Sequence, residues 1–214
     1  MNRTIYVCVG VCCSLLFCRI AAVQSGESVP VNPPPKIEFM TDVDGTIVGP
    51  TLPFEGIKDL EIIVTTAQQI SYPVLDKTLK ELQSRGASHL HVISLAYVFK
   101  DGQLFYQPGS FLSRIGINVQ PPELDIDLKF LAAKAEGSGA AMPKPISTPF
   151  GVIAGLNYLV GINAAGEIVF VERQGHTPDL PEIDSALRLA HVGRPAYLDG
   201  KEVPAAIMVS IPVQ

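Results

Sequence analysis

The fold is decided by residues 158–171, which read YLVGINAAGEIVFV. Apolar residues alternate over 158–162, the turn-forming residues 163–166 interrupt the run, and a second apolar run follows at 168–171. Two such runs around a short turn of Asn, Ala and Gly predict a β-hairpin. The rest of the C-terminal third is placed around this hairpin.

A short helix is predicted after the hairpin. The sequence TPDLP at 177–181 supplies polar residues and two prolines that suit a first helical turn. Apolar residues then recur at spacings of three and four, at Ile183, Ala186, Leu187 and Ala190. This spacing predicts an amphipathic helix over 182–190 with one buried stripe.

A third strand is predicted near the C-terminus. It comes after the turn Asp199-Gly200-Lys201. Its apolar residues occupy every second position, at Ile207, Val209, Ile211 and Val213. Hairpin, helix and strand together predict a domain at 151–214 in which a three-stranded antiparallel sheet has one helix packed across it.

The composition is that of a mildly acidic globular protein. The 214 residues are 47% hydrophobic and 17% charged, which is enough for one large or two small folded domains. The formal net charge is -5, whereas phosphate backbones are bound by basic surfaces, so we expect no nucleic-acid partner. The chain has no Trp, and it lacks the usual aromatic platforms for stacking bases.

The N-terminal residues 1–25 have the pattern of a secretory signal peptide. Arg3 precedes an apolar run of about fourteen residues, and small residues follow it. The run is shorter than the roughly twenty residues that span a bilayer, and cleavage is predicted after Ala22 or Ser25. An uncleaved N-terminal anchor and a lipid attached to Cys18 are the alternatives. In each case the body is exported to the periplasm.

No cysteine occurs in the body of the chain. The four cysteines all lie in the N-terminal segment, at Cys8, Cys12, Cys13 and Cys18. We therefore expect neither a disulfide nor a cysteine metal site in the body. Residues 26–35 are rich in Pro and predict a short, stiff tether.

A first α+β domain is predicted at 36–120. Alternation over 37–41 and a return at 46–48 flank the turn residues Asp42-Val43-Asp44-Gly45, which predicts a hairpin. A strand at 61–66 and a helix from Ser71 to Gly86 follow. One long strand is predicted at 89–99, and Lys100-Asp101-Gly102 turns it back into 103–106.

Residues 121–150 are predicted to be a linker. Pro121-Pro122 interrupts the chain, 124–135 carries a short helical pattern, and 137–149 is rich in Gly, Ala and Pro. The fold class predicted from the sequence is therefore α+β with two small domains, one on each side of this linker.

One motif suggests an enzyme. Asp42-Val43-Asp44-Gly45-Thr46 resembles the nucleophile motif of haloacid dehalogenase-type phosphatases. The resemblance implies that Asp42 attacks phosphorus, that Asp44 handles the proton of the leaving group, and that both help to hold magnesium. The preceding strand is half polar, however, and the later acids Asp125 and Asp127 do not form the expected pair. A hairpin turn made of Asp and Gly is the simpler interpretation.

Two histidines and one serine are further candidate site residues. His89 and His91 share a strand face, as two metal ligands would, but no third ligand has a recognisable spacing. Ser94 has no Gly-x-Ser-x-Gly setting. We therefore predict no catalytic residue, no metal site and no cofactor.

The C-terminal third resembles the C-terminal domain of TonB-type energy transducers. Residues 159–168 are similar to that family's strand, glycine turn and strand, and 180–187 to its short helix. The sequence RPAYLDGKEV at 194–203 is similar to the approach to its last strand. More faintly, 37–94 resembles the periplasmic domain of ExbD/TolR-type proteins.

The resemblance implies a binding function. Domains of the TonB type add a receptor segment as a strand to an exposed sheet edge. By this resemblance the binding edge is 203–213, where Pro204 and Pro212 fit an edge strand because they cannot donate to a ladder. The partner-binding residues would be Val203, Ala205, Ile207, Val209, Ile211 and Val213.

The implied partners belong to the cell envelope. They are an outer-membrane receptor or another envelope protein at the edge strand, and inner-membrane motor proteins at the N-terminus. The competing interpretations are a magnesium-dependent phosphatase that uses Asp42 and Asp44, and a structural protein whose C-terminal sheet pairs with itself in a homodimer.

Overall fold

A computed structural model describes residues 35–49, 57–143, 146–148, 151–153 and 155–213. The predicted signal peptide, the four cysteines and nearly all of the predicted tether lie outside these residues. Pro34–Gln214 forms one compact unit, which contains two main sheets.

The first sheet is mostly parallel. Its elements are β1 (Lys36–Thr41), β2 (Ile47–Val48), a 3₁₀ turn (Ile57–Asp59), β3 (Glu61–Thr66), α1 (Tyr72–Ser84) and β4 (His89–Ile93). The strand order is β2-β1-β3-β4, with β1, β3 and β4 parallel and β2 antiparallel to β1. The predicted hairpin of β1 and β2 and the predicted strand at 61–66 are both confirmed.

Helix α1 covers one face of this sheet. Phe39 of β1 and Val64 of β3 are buried in one core with Leu75 and Leu79 of the helix. Pro73 lies in the first helical turn, and Gly86 adopts a φ of +96° just after the helix. The helix predicted from Ser71 to Gly86 is therefore confirmed.

The predicted long strand at 89–99 is wrong. The structure has two strands here, β4 in the first sheet and β5 (Tyr97–Lys100) in the second. Ala96 and Tyr97 are both buried, which breaks the alternation of a continuous strand, and the Ala96 N–H donates to Ser94 Oγ at 3.2 Å. The chain turns at this point and leaves the parallel sheet.

The turn after β5 is confirmed. Strand β6 (Gln103–Tyr106) pairs antiparallel with β5. Asp101 and Gly102 between them have φ values of +50° and +79°, as a two-residue hairpin turn of type I′ requires.

The remaining elements complete the second sheet and its cover. They are α2 (Ser110–Arg114), β7 (Glu123–Asp125), α3 (Leu128–Gly137), β8 (Ile146–Thr148), β9 (Gly151–Ile153), β10 (Leu156–Ile162), β11 (Ile168–Gln174), α4 (Pro181–Arg188), β12 (His191–Arg194), β13 (Ala196–Leu198), β14 (Lys201–Val203) and β15 (Ala205–Ile211). The large sheet has the order β11-β10-β15-β6-β5, and the pairs β7–β12, β8–β9 and β13–β14 are separate two-stranded ribbons.

The C-terminal hairpin, helix and strand are present, but their sheet is larger than predicted. Strands β11, β10 and β15 are antiparallel neighbours, as expected. The sheet nevertheless continues through a parallel contact between Ala205 of β15 and Tyr106 of β6. Ala205 is fully buried in the same core as Leu79, so strands of the two predicted domains join in one five-stranded sheet.

Two helices rather than one lie across the C-terminal strands. Helix α4 was predicted, whereas α3 lies within the predicted linker. Leu131 and Ala135 of α3 and Ile183 and Leu187 of α4 are buried in one core with the strands. The Asp127 carboxylate caps α3 by accepting from the Phe130 N–H at 2.9 Å. The helical pattern at 124–135 is therefore part of the core.

The opposite face of the same strands is covered by the β5–β6 hairpin. Phe105 of β6 contacts Phe170 of β11 edge to face, with ring centroids 5.2 Å apart. Leu159 and Ala206 complete this small core, and Lys100 Nζ lies 3.3 Å from Glu172 Oε2 at its rim. Strand β6 thus both extends the sheet and folds over it.

Candidate functional site

The candidate site is the outer edge of β15. On one side this strand pairs with β10 along its whole length, from Ala205 to Ile211. On the other side, the only strand contact among the described residues is the single pair of Ala205 and Tyr106, because β6 ends there. From Ala206 onward, this side of β15 faces no other described strand.

One hydrogen bond of Pro204 shows which peptide groups of β15 face outward. The Tyr106 N–H donates to the Pro204 carbonyl at 3.0 Å, so the Pro204 carbonyl points away from β10. The hydrogen-bonding groups of successive residues in a strand point to alternate sides. The N–H and C=O groups of Ala206, Met208 and Ser210 therefore also point away from β10. The parallel pair of Ala205 and Tyr106 uses the Ala206 N–H, which faces the Tyr106 carbonyl, so the open edge begins at the Ala206 carbonyl.

Two prolines bound this open edge. Pro204 and Pro212 lie four residues before and four residues after Met208, so their backbones face the same side as that of Met208. The N–H that each proline lacks would therefore have pointed outward. An incoming strand can pair with the edge only between them. The open edge, 206–210, is thus a short docking site rather than a long aggregation-prone one.

The side chains at the open edge differ in exposure. Ala206 is buried against Phe105 and Phe170, whereas the Met208 side chain is 51% exposed. The Ser210 hydroxyl is exposed and donates to Asn157 Oδ1 at 2.7 Å. Met208 is therefore the apolar side chain that an incoming strand would meet.

The six residues predicted to bind a partner have inward-facing side chains. Ile207, Val209, Ile211 and Val213 pack beneath α3 and α4. Val203 lies in β14, paired with Ala196, and Ala205 is buried where β15 meets β6. These side chains hold the strand in place, and the outward groups belong to the intervening residues.

Strand β11, at one end of the large sheet, is more protected than the open side of β15. Strand β11 carries charged residues along its outer half, and its pairing with β10 is irregular near Gly161 and Ile162. Arg173 Nη1 lies 3.0 Å from Asp179 Oδ1. Charges and irregular pairing discourage strand addition at β11, so the open side of β15 is the more accessible of these two strands.

A buried tyrosine joins the hairpin to α4. Tyr158 of β10 is fully buried, and burial first, then the Asp184 carboxylate, raises its pKa above the usual range. Arg173 Nε lies 3.8 Å from Asp184 Oδ2. The phenol therefore stays neutral at physiological pH, and the contacts of Asp184 hold the helix over the strands.

The Asp42 motif forms a hairpin turn. Asp42 Oδ1 accepts from the N–H groups of Asp44 at 3.0 Å and Thr46 at 2.8 Å. The turn docks on α1, where the Thr78 hydroxyl donates to the Gly45 carbonyl at 3.1 Å. In the described part of the chain, no group of three or more His, Cys, Asp or Glu side chains could hold a metal.

The two neighbouring histidines lie on the exposed face of β4. His91 Nε2 is 3.8 Å from Glu61 Oε1 on the adjacent strand, and His89 is exposed beside it. Ser94 accepts the Ala96 N–H in the turn that ends β4. The structure brings no third ligand and no nucleophile partner to these residues within the ranges it describes.

The sequence alone could not show which peptide groups of β15 are left without a neighbouring strand. Alternation correctly shows that Ile207, Val209 and Ile211 face the core. The open peptide groups follow only from the contact of Pro204 with Tyr106, which are ninety-eight positions apart in the chain. Alternation offers one signal, which is the apolar Met208 at an outward position of the strand.

The function of this chain is inferred from its residues and their geometry. No protein-family model, no curated protein and no solved structure matches this chain. Within the described ranges, no helix is both long and apolar enough to cross a membrane.

Proposed function

We propose that the protein is an exported, non-catalytic binding module of the TonB type. It accepts an extended segment of an outer-membrane transport receptor, or of another envelope protein, on the open edge of β15. The observation that carries the proposal is the set of outward peptide groups between two prolines, which runs from the Ala206 carbonyl through Met208 to Ser210. The strands β11, β10 and β15 with α4 are the TonB-type part of the fold, and the periplasm is the compartment.

Backbone pairing alone supports only weak binding. The open edge offers five hydrogen-bonding groups, the Ala206 carbonyl and the N–H and C=O groups of Met208 and Ser210, and each bond contributes a net stabilisation of about 0.5 to 1.5 kcal/mol. Association costs roughly 4 to 15 kcal/mol in lost freedom of motion. The gain and the cost are of similar size, so side-chain contacts must decide the affinity.

Met208 is the side chain placed to supply such a contact. It is half exposed and lies next to the buried cluster of Ala206, Phe105 and Phe170. Apolar side chains on adjacent strands stabilise pairing by about 0.2 to 1 kcal/mol each, and a thioether adapts to varied neighbours. We expect the receptor segment to place an apolar residue beside Met208.

Site-specific cross-linking in the intact cell envelope tests the proposal. A photoreactive residue replaces Met208, because Val209 is buried and cannot report on a partner. The expected result is covalent capture of an outer-membrane receptor, strongly reduced by the added substitution Ser210→Pro, which removes one outward N–H. Ser210→Ala is the matched control, since it keeps the backbone donor and should preserve capture.

A second probe position separates edge docking from general surface contact. Val169 on the opposite edge strand is 41% exposed, similar to Met208. Equal receptor capture from both positions, or capture at Met208 that Ser210→Pro leaves unchanged, would contradict docking at β15. Capture of only a second copy of the chain would favour the self-pairing alternative.

A further inference from the structure

The first sheet has one bare face. Mostly parallel sheets are usually covered on both faces, but here α1 covers one side, and the other side is exposed around a central residue, Ile63, that is 8% exposed. On the other side, Met40, Val48 and Ile93 have side chains that are 62%, 57% and 58% exposed. Leu95 and Val43 are exposed at the same end. Five large apolar side chains in one place indicate a surface that becomes covered.

The bare face is arranged in three rows across the strands. The first row holds Lys36 of β1, Glu61 of β3 and His89 of β4. The second row holds Glu38, Ile63 and His91. The third row is the apolar one and consists of Val48, Met40, Thr65 and Ile93, on β2, β1, β3 and β4.

We propose that a second copy of this chain packs against the bare face. The two-fold axis runs parallel to the strands, midway between β1 and β3. This rotation keeps each row opposite the same row, places β1 opposite β3 of the second copy, and places β2 opposite β4. Sheets pack face to face about 10 Å apart with strands nearly aligned, which this arrangement satisfies.

The pairing is complementary at both ends of the face. In the first row Lys36 lies opposite Glu61 of the second copy, so opposite charges meet. In the third row Val48 lies opposite Ile93, and Met40 lies opposite Thr65, so uncharged side chains meet. The two-fold axis repeats each contact, which gives two copies of every pair.

The same geometry predicts a weak dimer. Four strands about 4.8 Å apart and about 20 Å long give a face of roughly 380 Å². Stable interfaces bury about 800 Å² on each partner. Glu38 opposite Ile63 is the least favourable pair, because it brings a carboxylate towards an apolar side chain. We therefore expect an association that depends on protein concentration.

Sedimentation of the full chain over a range of concentrations tests the association. The natural protein should shift from monomer to dimer, and Met40→Glu should weaken the association by about a hundredfold, because it buries an unpaired charge. Leu189→Glu is the control, at an apolar side chain that is 85% exposed just after α4 rather than on the first sheet, and should leave the dimer intact. A chain that stays monomeric at every concentration would overturn the proposal, as would equal effects of both variants.

A cross-linking test then checks the geometry. Val48 and Ile93 lie on strands separated by two others, about 14 Å apart within one chain, whereas sheets packed face to face bring Val48 to about 10 Å from Ile93 of the second copy. In a background with the four native cysteines changed to serine, Val48→Cys with Ile93→Cys should give a covalent dimer with a thiol cross-linker that is too short to join the two positions within one chain. Each single variant should stay uncross-linked. A dimer that the single variants also form, or that the pair does not form, would contradict this axis.

Discussion

The ring of Phe170 lies directly against the backbone of Gly161, so that a Cβ atom at position 161 would overlap the ring. Phe105 contacts the same ring edge to face. The Phe170 ring therefore packs against both β10 and the β5–β6 hairpin. This contact joins elements from the two halves of the sequence.

Gly161→Ala should consequently destabilise the fold. Overpacking a core costs typically about 1 to 3 kcal/mol, and we expect the upper part of that range because Phe105 blocks relaxation of the ring. Urea unfolding measures the loss. The control is Gly137→Ala at the end of α3, where the added methyl meets no neighbour. It should be neutral or stabilise by up to about 1 kcal/mol. Similar losses in both variants would contradict the tight packing of Phe170.

The carboxylate of Asp42 is predicted to act in structure rather than in catalysis. Asp42→Ala leaves the N–H groups of Asp44 and Thr46 without their acceptor and should cost about 1 to 2 kcal/mol of unfolding free energy. Asp42→Asn keeps an acceptor oxygen and should cost less. Urea unfolding of both variants checks the order.

The same two variants address the phosphatase alternative. Phosphatase activity with magnesium is measured for the natural protein and for Asp42→Asn, with a general phosphate monoester as substrate. We expect no activity above background in either protein. Activity that is present in the natural protein and lost in Asp42→Asn would favour the enzyme interpretation over the binding module.

A cluster of buried tyrosines should make stability fall at alkaline pH. Burial, mainly, raises the pKa of Tyr97 to about 12 and also raises that of Tyr72. Their hydroxyls donate to the carbonyls of Ile70 at 3.0 Å and Leu104 at 2.8 Å. The unfolded chain loses these protons near pH 10, before the folded one does. Stability is therefore fully present below about pH 10 and is lost as the pH rises towards 12.

Unfolding measured at several alkaline pH values tests this sign. The free energy of unfolding should be constant up to about pH 9 and should decrease between about pH 10 and pH 12. Tyr97→Phe removes one of the titrating groups and should make the decrease shallower. A phenolate absorbance that develops fully near pH 10, without unfolding, would show that these hydroxyls are not held neutral by the fold.

Single strands and turns were predictable from the sequence where a local residue pattern determines the backbone conformation. Glu61–Thr66 carries three successive apolar, β-branched residues at 62–64, and Asp199-Gly200 has the residues of a type I′ turn, with φ values of +51° and +76°. Both were predicted. The break at 94–96 was missed, because only the burial of two successive residues, Ala96 and Tyr97, reveals it.

The joining of the two halves was beyond local reasoning. The single pair of Ala205 and Tyr106 decides that β6 enters the C-terminal sheet, and alanine has no special propensity that marks such a junction. Helix α3 was assigned to a linker because Gly, Ala and Pro follow it. Its Leu131 and Ala135 become core residues only because α4 and β15 lie against them. The position of the docking edge depends on the same junction.

Because the halves share a sheet, the body should unfold in a single cooperative transition. Leu79→Ala removes a buried side chain from the first core and Ile211→Ala removes one from the C-terminal core. Each should cost about 2 to 5 kcal/mol and should shift the whole transition to lower urea concentration. The exposed Met208→Ala should shift it by no more than about 0.5 kcal/mol. Urea unfolding followed by near-ultraviolet and far-ultraviolet circular dichroism measures the transition. Two independent domains would instead give two transitions, and each core variant would then shift only the transition of the domain that contains it.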